Sequence, residues 1–307
     1  MITDLFGNTT ADRLPGGAMC QRFIEPPFTV LDTKSGRWQD RKRDWLALGI
    51  ESEVGRSANL LGISEQARAG YDLSTPPQTN SSIFDPVLCE LVYSWFMPEK
   101  PSLGILDPFA GGSVRGVVAS RLDFQYTGIE LRREQVEANV KQMLAIPCEP
   151  KPHWICGNSA KVEELVGDEY DLLFTCPPYW NLERYSDLSG DLSTLDNWAE
   201  FSMRYQCIMR LSALRLKSQR FAIVVVGNIR DDKGFLRDMR IPTAAAMREA
   251  GFFHYNDFVL LTPIGSLPLR VNGQFSKGRK AGAAHQYVMC FFKGNPDSIR
   301  KEFTEFE

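Results

Sequence analysis

The sequence predicts an α/β protein built on a mainly parallel sheet with helices on both faces. Three observations predict this. From Ile83 onward, short apolar runs alternate with stretches of helical spacing. Two of the early runs close in an acid, Asp107 and Glu130, and the first is followed by a glycine-rich turn. The last two runs follow each other with no helical pattern between them, as an antiparallel pair at a sheet edge would.

The elements follow in order. Phe84 to Phe96 has helical spacing, with Asp85 and Pro86 suited to a first turn. Leu103 to Leu106 reads as a strand, Val114 to Leu122 as a helix, Tyr126 to Ile129 as a strand and Arg133 to Met143 as a helix. Trp154 to Cys156 and Asp171 to Thr175 are the next strands, and a long helix runs from about Trp198 to Leu216. Phe221 to Val226 is a strand, and Thr243 to Ala250 a helix closed by Gly251. Phe258 to Thr262 and Tyr287 to Phe292 are the final strands. Residues 1–80 show no such alternation. They hold Pro26-Pro27 and a charged cluster from Lys34 to Asp44, and they end in the polar run Ser74 to Asn80. The expected division is a leader (1–80), a main domain (81–296) and a tail (297–307).

Composition narrows the class. Of 307 residues, 43% are hydrophobic and 24% charged, which suits a folded globular chain rather than a disordered one. The net charge of -3 does not favour nucleic acid, yet a local basic stripe neutralises phosphates on an acidic protein. No two of the seven cysteines stand three apart and only three histidines occur, so no metal is expected and the cysteines read as reduced core thiols. The start lacks a basic segment and an apolar core, and no run approaches a membrane span; a cytoplasmic protein is expected.

The segment Asp107-Pro108-Phe109-Ala110-Gly111-Gly112-Ser113 has the form of a ligand loop. Glycines let a backbone approach a ligand closely, and the helix start that follows offers free N–H groups. Glu130 lies about twenty residues beyond the loop, where an acid meets ribose hydroxyls. Asn158, after the third strand, suits an adenine amino group. Glu130 is equally suited to capping the next helix and Asn158 to a turn. The absence of Gly-Lys-Ser/Thr excludes a triphosphate loop, and Gly111-Gly112 does not fit the dinucleotide pattern.

The fourth strand ends in Thr175-Cys176-Pro177-Pro178-Tyr179-Trp180. Two prolines remove backbone donors and leave carbonyls open, and the aromatic ring beside them suits stacking on a flat ligand. An ordinary proline-terminated strand is the alternative. Together the two segments resemble the amino-methyltransferase family of DNA methylases. Those enzymes carry D-P-F-x-G-x-G at the cofactor and D-P-P-Y, N-P-P-Y or S-P-P-Y at the target. Phe84-Asp85-Pro86 resembles the family segment that completes the methionine pocket, and His285 to Gly294 the closing strand. The whole chain resembles phage-type DNA modification methylases, which also carry a leader rich in arginine and tryptophan.

The resemblance implies a Rossmann-like S-adenosylmethionine-dependent methyltransferase fold, with seven strands and one antiparallel strand at the edge. It implies S-adenosylmethionine held by Phe84, Asp85, the 107–113 loop, Glu130, Asn158 and Thr175. It implies direct transfer to the amino group of a flipped base in double-stranded DNA, with Cys176, Pro177, Pro178 and Tyr179 at the reaction centre. A homodimer is left open. Two positions depart from the pattern. Cys176 stands where the family has Asp, Asn or Ser, and a thiol is a poor acceptor. Gly112-Ser113 stands for Ser-Gly. The context of Cys176 is nearer the Thr-Ser-Pro-Pro-Tyr form, which leans toward cytosine N4 over adenine N6. Cytosine-C5 enzymes place a nucleophilic Cys after Pro, whereas Cys176 precedes it.

For the nucleic acid, Arg37, Trp38, Arg41, Lys42 and Arg43 in the leader, Trp180, and Arg270, Lys277, Arg279 and Lys280 in a glycine-rich loop are the expected contacts. A solvated charged face is the alternative for each cluster. An RNA or nucleotide methyltransferase, or a non-catalytic DNA-binding protein with the same fold, are the rival functions.

Overall fold

The computed structural model describes residues 18–50, 84–147, 149–180, 185–265 and 267–306, and nothing of the side chains at 18, 21 and 270. The polar run Ser74 to Asn80 lies outside the described residues. In chain order the elements are α1 (Ala18–Phe23), β1 (Val30–Asp32), α2 (Gly36–Ala47), α3 (Pro86–Phe96), β2 (Ile105–Asp107), α4 (Val114–Arg121), β3 (Tyr126–Glu130), α5 (Arg133–Ala145), β4 (His153–Cys156), α6 (Val162–Leu165) and β5 (Tyr170–Thr175). There follow α7 (Trp198–Leu214), β6 (Leu216–Val226), β7 (Ile229–Arg230), β8 (Leu236–Arg237), α8 (Arg240–Glu249), β9 (Phe253–Leu261), α9 (Leu267–Gly278), β10 (His285–Lys293) and α10 (Ile299–Glu302).

Eight strands form one sheet in the order β1-β9-β10-β6-β5-β2-β3-β4, with β10 antiparallel to both neighbours. Strands β6, β5, β2, β3 and β4 pair in parallel. The pleat sends alternate side chains to two cores. Leu172, Phe174, Ile223, Val225, Val288 and Cys290 face one core, with α3 and α4. Leu173, Ala222, Val224, Val226, Met289 and Phe291 face the other, with α7 and α8. This is the Rossmann-like α/β class expected. From β2 the chain runs outward to β3 and β4, then returns to β5 and runs the other way to β6. The crevice between β2 and β5 is therefore a topological switch point, where open sheets bind ligands.

Three details depart from expectation. The sheet has an eighth strand, because Val30–Asp32 of the leader pairs in parallel with Val259–Leu261. Strand β10 lies inside the sheet, between β9 and β6, and β1 forms the edge beyond β9. Helix α9 separates the last two strands; its Gly273, Pro268 and exposed face hide it from a periodicity reading. Of the six described cysteines, none in a disulfide, only Cys89 and Cys290 are buried; Cys156 and Cys207 are exposed, and Cys148 lies outside the described residues.

The described part of the leader, residues 18–50, joins the core. Trp38 and Trp45 are seven residues apart, two helical turns, and point inward from α2 together. The Trp45 indole donates to Glu90 at 2.8 Å. The Trp38 indole nitrogen is buried without a partner. Trp38→Ala is expected to lower stability by about 3–5 kcal/mol in urea unfolding, and Trp38→Phe by clearly less, since it also removes an unsatisfied donor. The tail is docked as well: Arg220 pairs with Glu302 at 2.8 Å, and Phe303 is buried.

Candidate active site

A cleft follows the carboxyl ends of β2, β3, β4 and β5, and the two sequence segments meet in it. One half is built on the loop after β2. Asp107 is buried and faces away from the cleft. It accepts from Phe109 N (3.1 Å), Arg115 Nε (2.5 Å), Tyr126 Oη (2.7 Å) and Thr175 Oγ1 (2.7 Å). Arg115 Nη2 donates to the Phe109 and Ala110 carbonyls at 2.7 and 2.8 Å. The same guanidinium lies 4.5 Å above the Phe84 ring and lines the cleft. Its Nη1 has no hydrogen-bond partner among the described residues. Burial opposes this charge most strongly, but Asp107 together with Tyr126 and Cys176 raises the Arg115 pKa overall.

The rest of the loop is tied just as closely. Gly111, at φ +53°, adopts a left-handed conformation that suits glycine. Its N–H donates to Glu130 Oε2 at 3.0 Å, and its carbonyl accepts from Asn139 at 2.8 Å. Gly128 lets the loop approach β3, because a Cβ there would lie 2.8 Å from Ala110. Ser113 turns its hydroxyl to Gln142, so no side chain caps α4 and its first amides stay open.

Glu130 lines the cleft with Pro108, Phe109, Gly111, Gly112 and Asn158. Its carboxylate accepts from Gly111 N and from Arg132 N (2.9 Å), which leaves about two lone-pair sites for a ligand. Burial pushes its pKa up. Asn158 accepts from Ala160 N at 2.9 Å, and its amide nitrogen packs on Gly190, where φ is +100° and no Cβ has room.

The other half is Cys176 to Tyr179 at the end of β5. The carbonyls of Pro177 and Pro178 accept no hydrogen bond among the described residues. Tyr179 Oη accepts from Gln286 Nε2 at 2.7 Å and lies 3.5 Å from Cys176 Sγ. The ring lies beside Gly227, where an added Cβ would sit 3.5 Å from it. Burial, and then Cys176, push the Tyr179 pKa up, so its hydroxyl stays protonated. Phe84 adjoins this half across the cleft, as do Ile208 and Tyr185.

The remaining expectations fare unevenly. Asp107, Ala110, Ser113 and Thr175 form the rear of the loop rather than the cleft wall. Asp85 caps α3, accepting from Val87 N, and pairs with Lys42 at 3.0 Å. Two aromatic residues expected at nucleic acid are corrected. Trp38 belongs to the core, and Trp180 is buried, donating to the Leu195 carbonyl at 2.6 Å. In the leader, Arg37 pairs with Glu25, Arg41 with Glu90 and Arg43 with Asp40, so these cations balance local acids. Lys277 and Arg279 are exposed on and just after α9, and Lys280 is half-buried. The side chain of Arg270 lies outside the described residues. Arg115, Asn139, Gly227 and Gln286 carry site roles without any local sequence signal.

Among the described residues no helix is long and apolar enough to cross a membrane, and no cluster of three His, Cys, Asp or Glu is placed to hold a metal ion.

No family model matches the sequence, and no curated protein does. Solved structures with a similar chain path include TrmN from Thermus thermophilus, 14% identical with a TM-score of 0.44. This chain covers 49% of that protein, with 68% of its own length. Magnesium protoporphyrin IX methyltransferase from Synechocystis PCC 6803 with bound SAM is 10% identical with a TM-score of 0.40, over 63% of this chain and 71% of that one. TTHA0409, also from Thermus thermophilus and provisionally described as a DNA modification methylase, is 15% identical with a TM-score of 0.34, over 48% of this chain and 53% of that one. Likenesses at this level carry no argument about substrate.

Proposed function

We propose that the protein transfers a methyl group from S-adenosylmethionine to an exocyclic amino group of a base in double-stranded DNA, with cytosine N4 ahead of adenine N6. The observation that carries this reading is the pair of open carbonyls at Pro177 and Pro178, set beside a fixed Tyr179 ring in the cleft that also holds the glycine loop and Glu130.

The residues fit the cofactor. Glu130 has lone pairs for ribose hydroxyls, Asn158 faces the cleft for a base, and the open amides of α4 and Arg115 Nη1 suit the amino-acid end. When bound, the cofactor supplies an electrophilic methyl group on a sulfonium. The chain's own residues do the rest. Tyr179 stacks on the extruded base, and the Pro177 carbonyl and Cys176 Sγ accept hydrogen bonds from its amino group. The nitrogen lone pair is thereby aimed at the loop side of the cleft. The Tyr179 hydroxyl, satisfied by Gln286, orients the ring and takes no part in proton transfer.

Glu130 accepts most strongly from both ribose hydroxyls when ionised. Because burial raises its pKa, cofactor affinity should begin to fall on acidification at a higher pH than an ordinary carboxylate would dictate. Glu130→Gln should weaken binding by roughly tenfold to a hundredfold and flatten that pH dependence, read by calorimetry.

The decisive experiment offers labelled cofactor with unmethylated duplex DNA, RNA and free nucleotides, followed by nucleoside mass spectrometry. N4-methylcytosine or N6-methyladenine from the duplex supports the proposal. Label in RNA or nucleotides alone, or none anywhere, overturns it.

A further inference from the structure

The short ribbon β7–β8 begins two residues after Gly227, which lies beside the Tyr179 ring. Its turn is unusually fixed for a surface hairpin. Asp231 N donates to the Phe235 carbonyl (3.0 Å), and Gly234 N to the Asp231 carbonyl (2.8 Å). Phe235 N donates to Asp231 Oδ1 at 2.8 Å, Arg230 to the Gly234 carbonyl at 2.9 Å, and Arg237 pairs with Asp231 at 2.7 Å. The Lys280 side chain, reaching over from beyond α9, lies directly against Gly234. This scaffold holds Phe235 67% exposed and Leu236 51% exposed.

A lone exposed phenylalanine needs no explanation. Here it sits on a preorganised turn of a ribbon whose first strand starts two residues after Gly227, beside the Tyr179 ring. The adjoining segment, 264–284, carries four cations (Arg270, Lys277, Arg279, Lys280) and no acid, in a chain of net charge -3. A polyanion that accepts an apolar group between flat rings matches both features.

We propose that Phe235 is a wedge that enters the base stack of duplex DNA and fills the space left by the extruded target base, while Lys277 and Arg279 hold the flanking phosphates. This rests on the DNA-methylation reading above. Extruding a paired base costs stacking and pairing, and an apolar side chain in the gap offsets part of that cost. A rigid turn is the right carrier, because little freedom is lost when it inserts.

The test uses the full chain with a duplex oligonucleotide bearing the site mapped from methylated DNA. The target base is either paired or placed opposite an abasic position, where less must be disrupted. Phe235→Ala should lower kcat/KM on the paired duplex by about tenfold or more, and by under about threefold on the abasic duplex; Phe235→Trp should retain activity on both. A 2-aminopurine at the target should brighten on binding wild type and less so with Phe235→Ala. An equal loss on both duplexes, or none on either, overturns the wedge while the methylation reading stands. A change in oligomeric state on Phe235→Ala overturns it too, by assigning the residue to a second copy. A wild type inert on every DNA overturns both.

Discussion

Tyr179→Ala is expected to abolish methyl transfer, lowering the single-turnover rate by about a hundredfold or more while cofactor binding changes little. Loss of base stacking accounts for about 1–3 kcal/mol. Loss of orientation adds to it, because misplacing the amino nitrogen by an ångström costs on the order of a hundredfold. The ring lies beside Gly227, which carries no side chain, and its hydroxyl is held by Gln286. Tyr179→Phe keeps the ring and loses only the contacts of the hydroxyl with Gln286 and Cys176; a loss of about tenfold is expected. If Tyr179→Ala transfers methyl groups at the wild-type rate, the target half of the cleft is wrongly assigned.

Arg115→Met should be the most damaging single change to the fold and the cofactor loop together. It leaves Asp107 as a buried carboxylate served only by neutral donors, a loss of about 3–5 kcal/mol. It also frees the Phe109 and Ala110 carbonyls that Arg115 holds. The double variant Asp107→Asn with Arg115→Met removes the unpaired charge, so most of the stability should return in urea unfolding. Cofactor binding, read by calorimetry, should not return with it, because the loop ties and Nη1 remain absent. Arg115→Lys keeps the charge but not the planar fork, and should fall between the two. Recovery of both stability and binding in the double variant would reduce Arg115 to a purely structural group.

Much of this site is written in short segments. The loop after β2, Glu130 after β3, Asn158 after β4 and Cys176 to Tyr179 after β5 each sit where a strand ends, and strand ends are what an alternating pattern shows. Residues whose role depends on distant partners are not visible that way. Gln286 reaches Tyr179 across 107 positions, and Asn139 reaches the Gly111 carbonyl across 28. The leader misleads for the same reason. Its cations resemble phosphate contacts until Glu25, Glu90 and Asp85 are brought beside them. The inward spacing of Trp38 and Trp45 was the available signal that α2 packs on the core.

The pairing of β1 with Val259–Leu261 also bears on how the chain keeps from self-association. Without that strand, β9 would offer a row of bare amides and carbonyls flanked by Val259, Leu260 and Leu261. Such an edge recruits a strand from any other copy it meets. A chain shortened to begin at residue 81 would lose this strand together with the buried tryptophans of α2, and is expected to precipitate as it folds even with every cleft residue intact. The three residues of β1 act as an edge guard far from the chemistry.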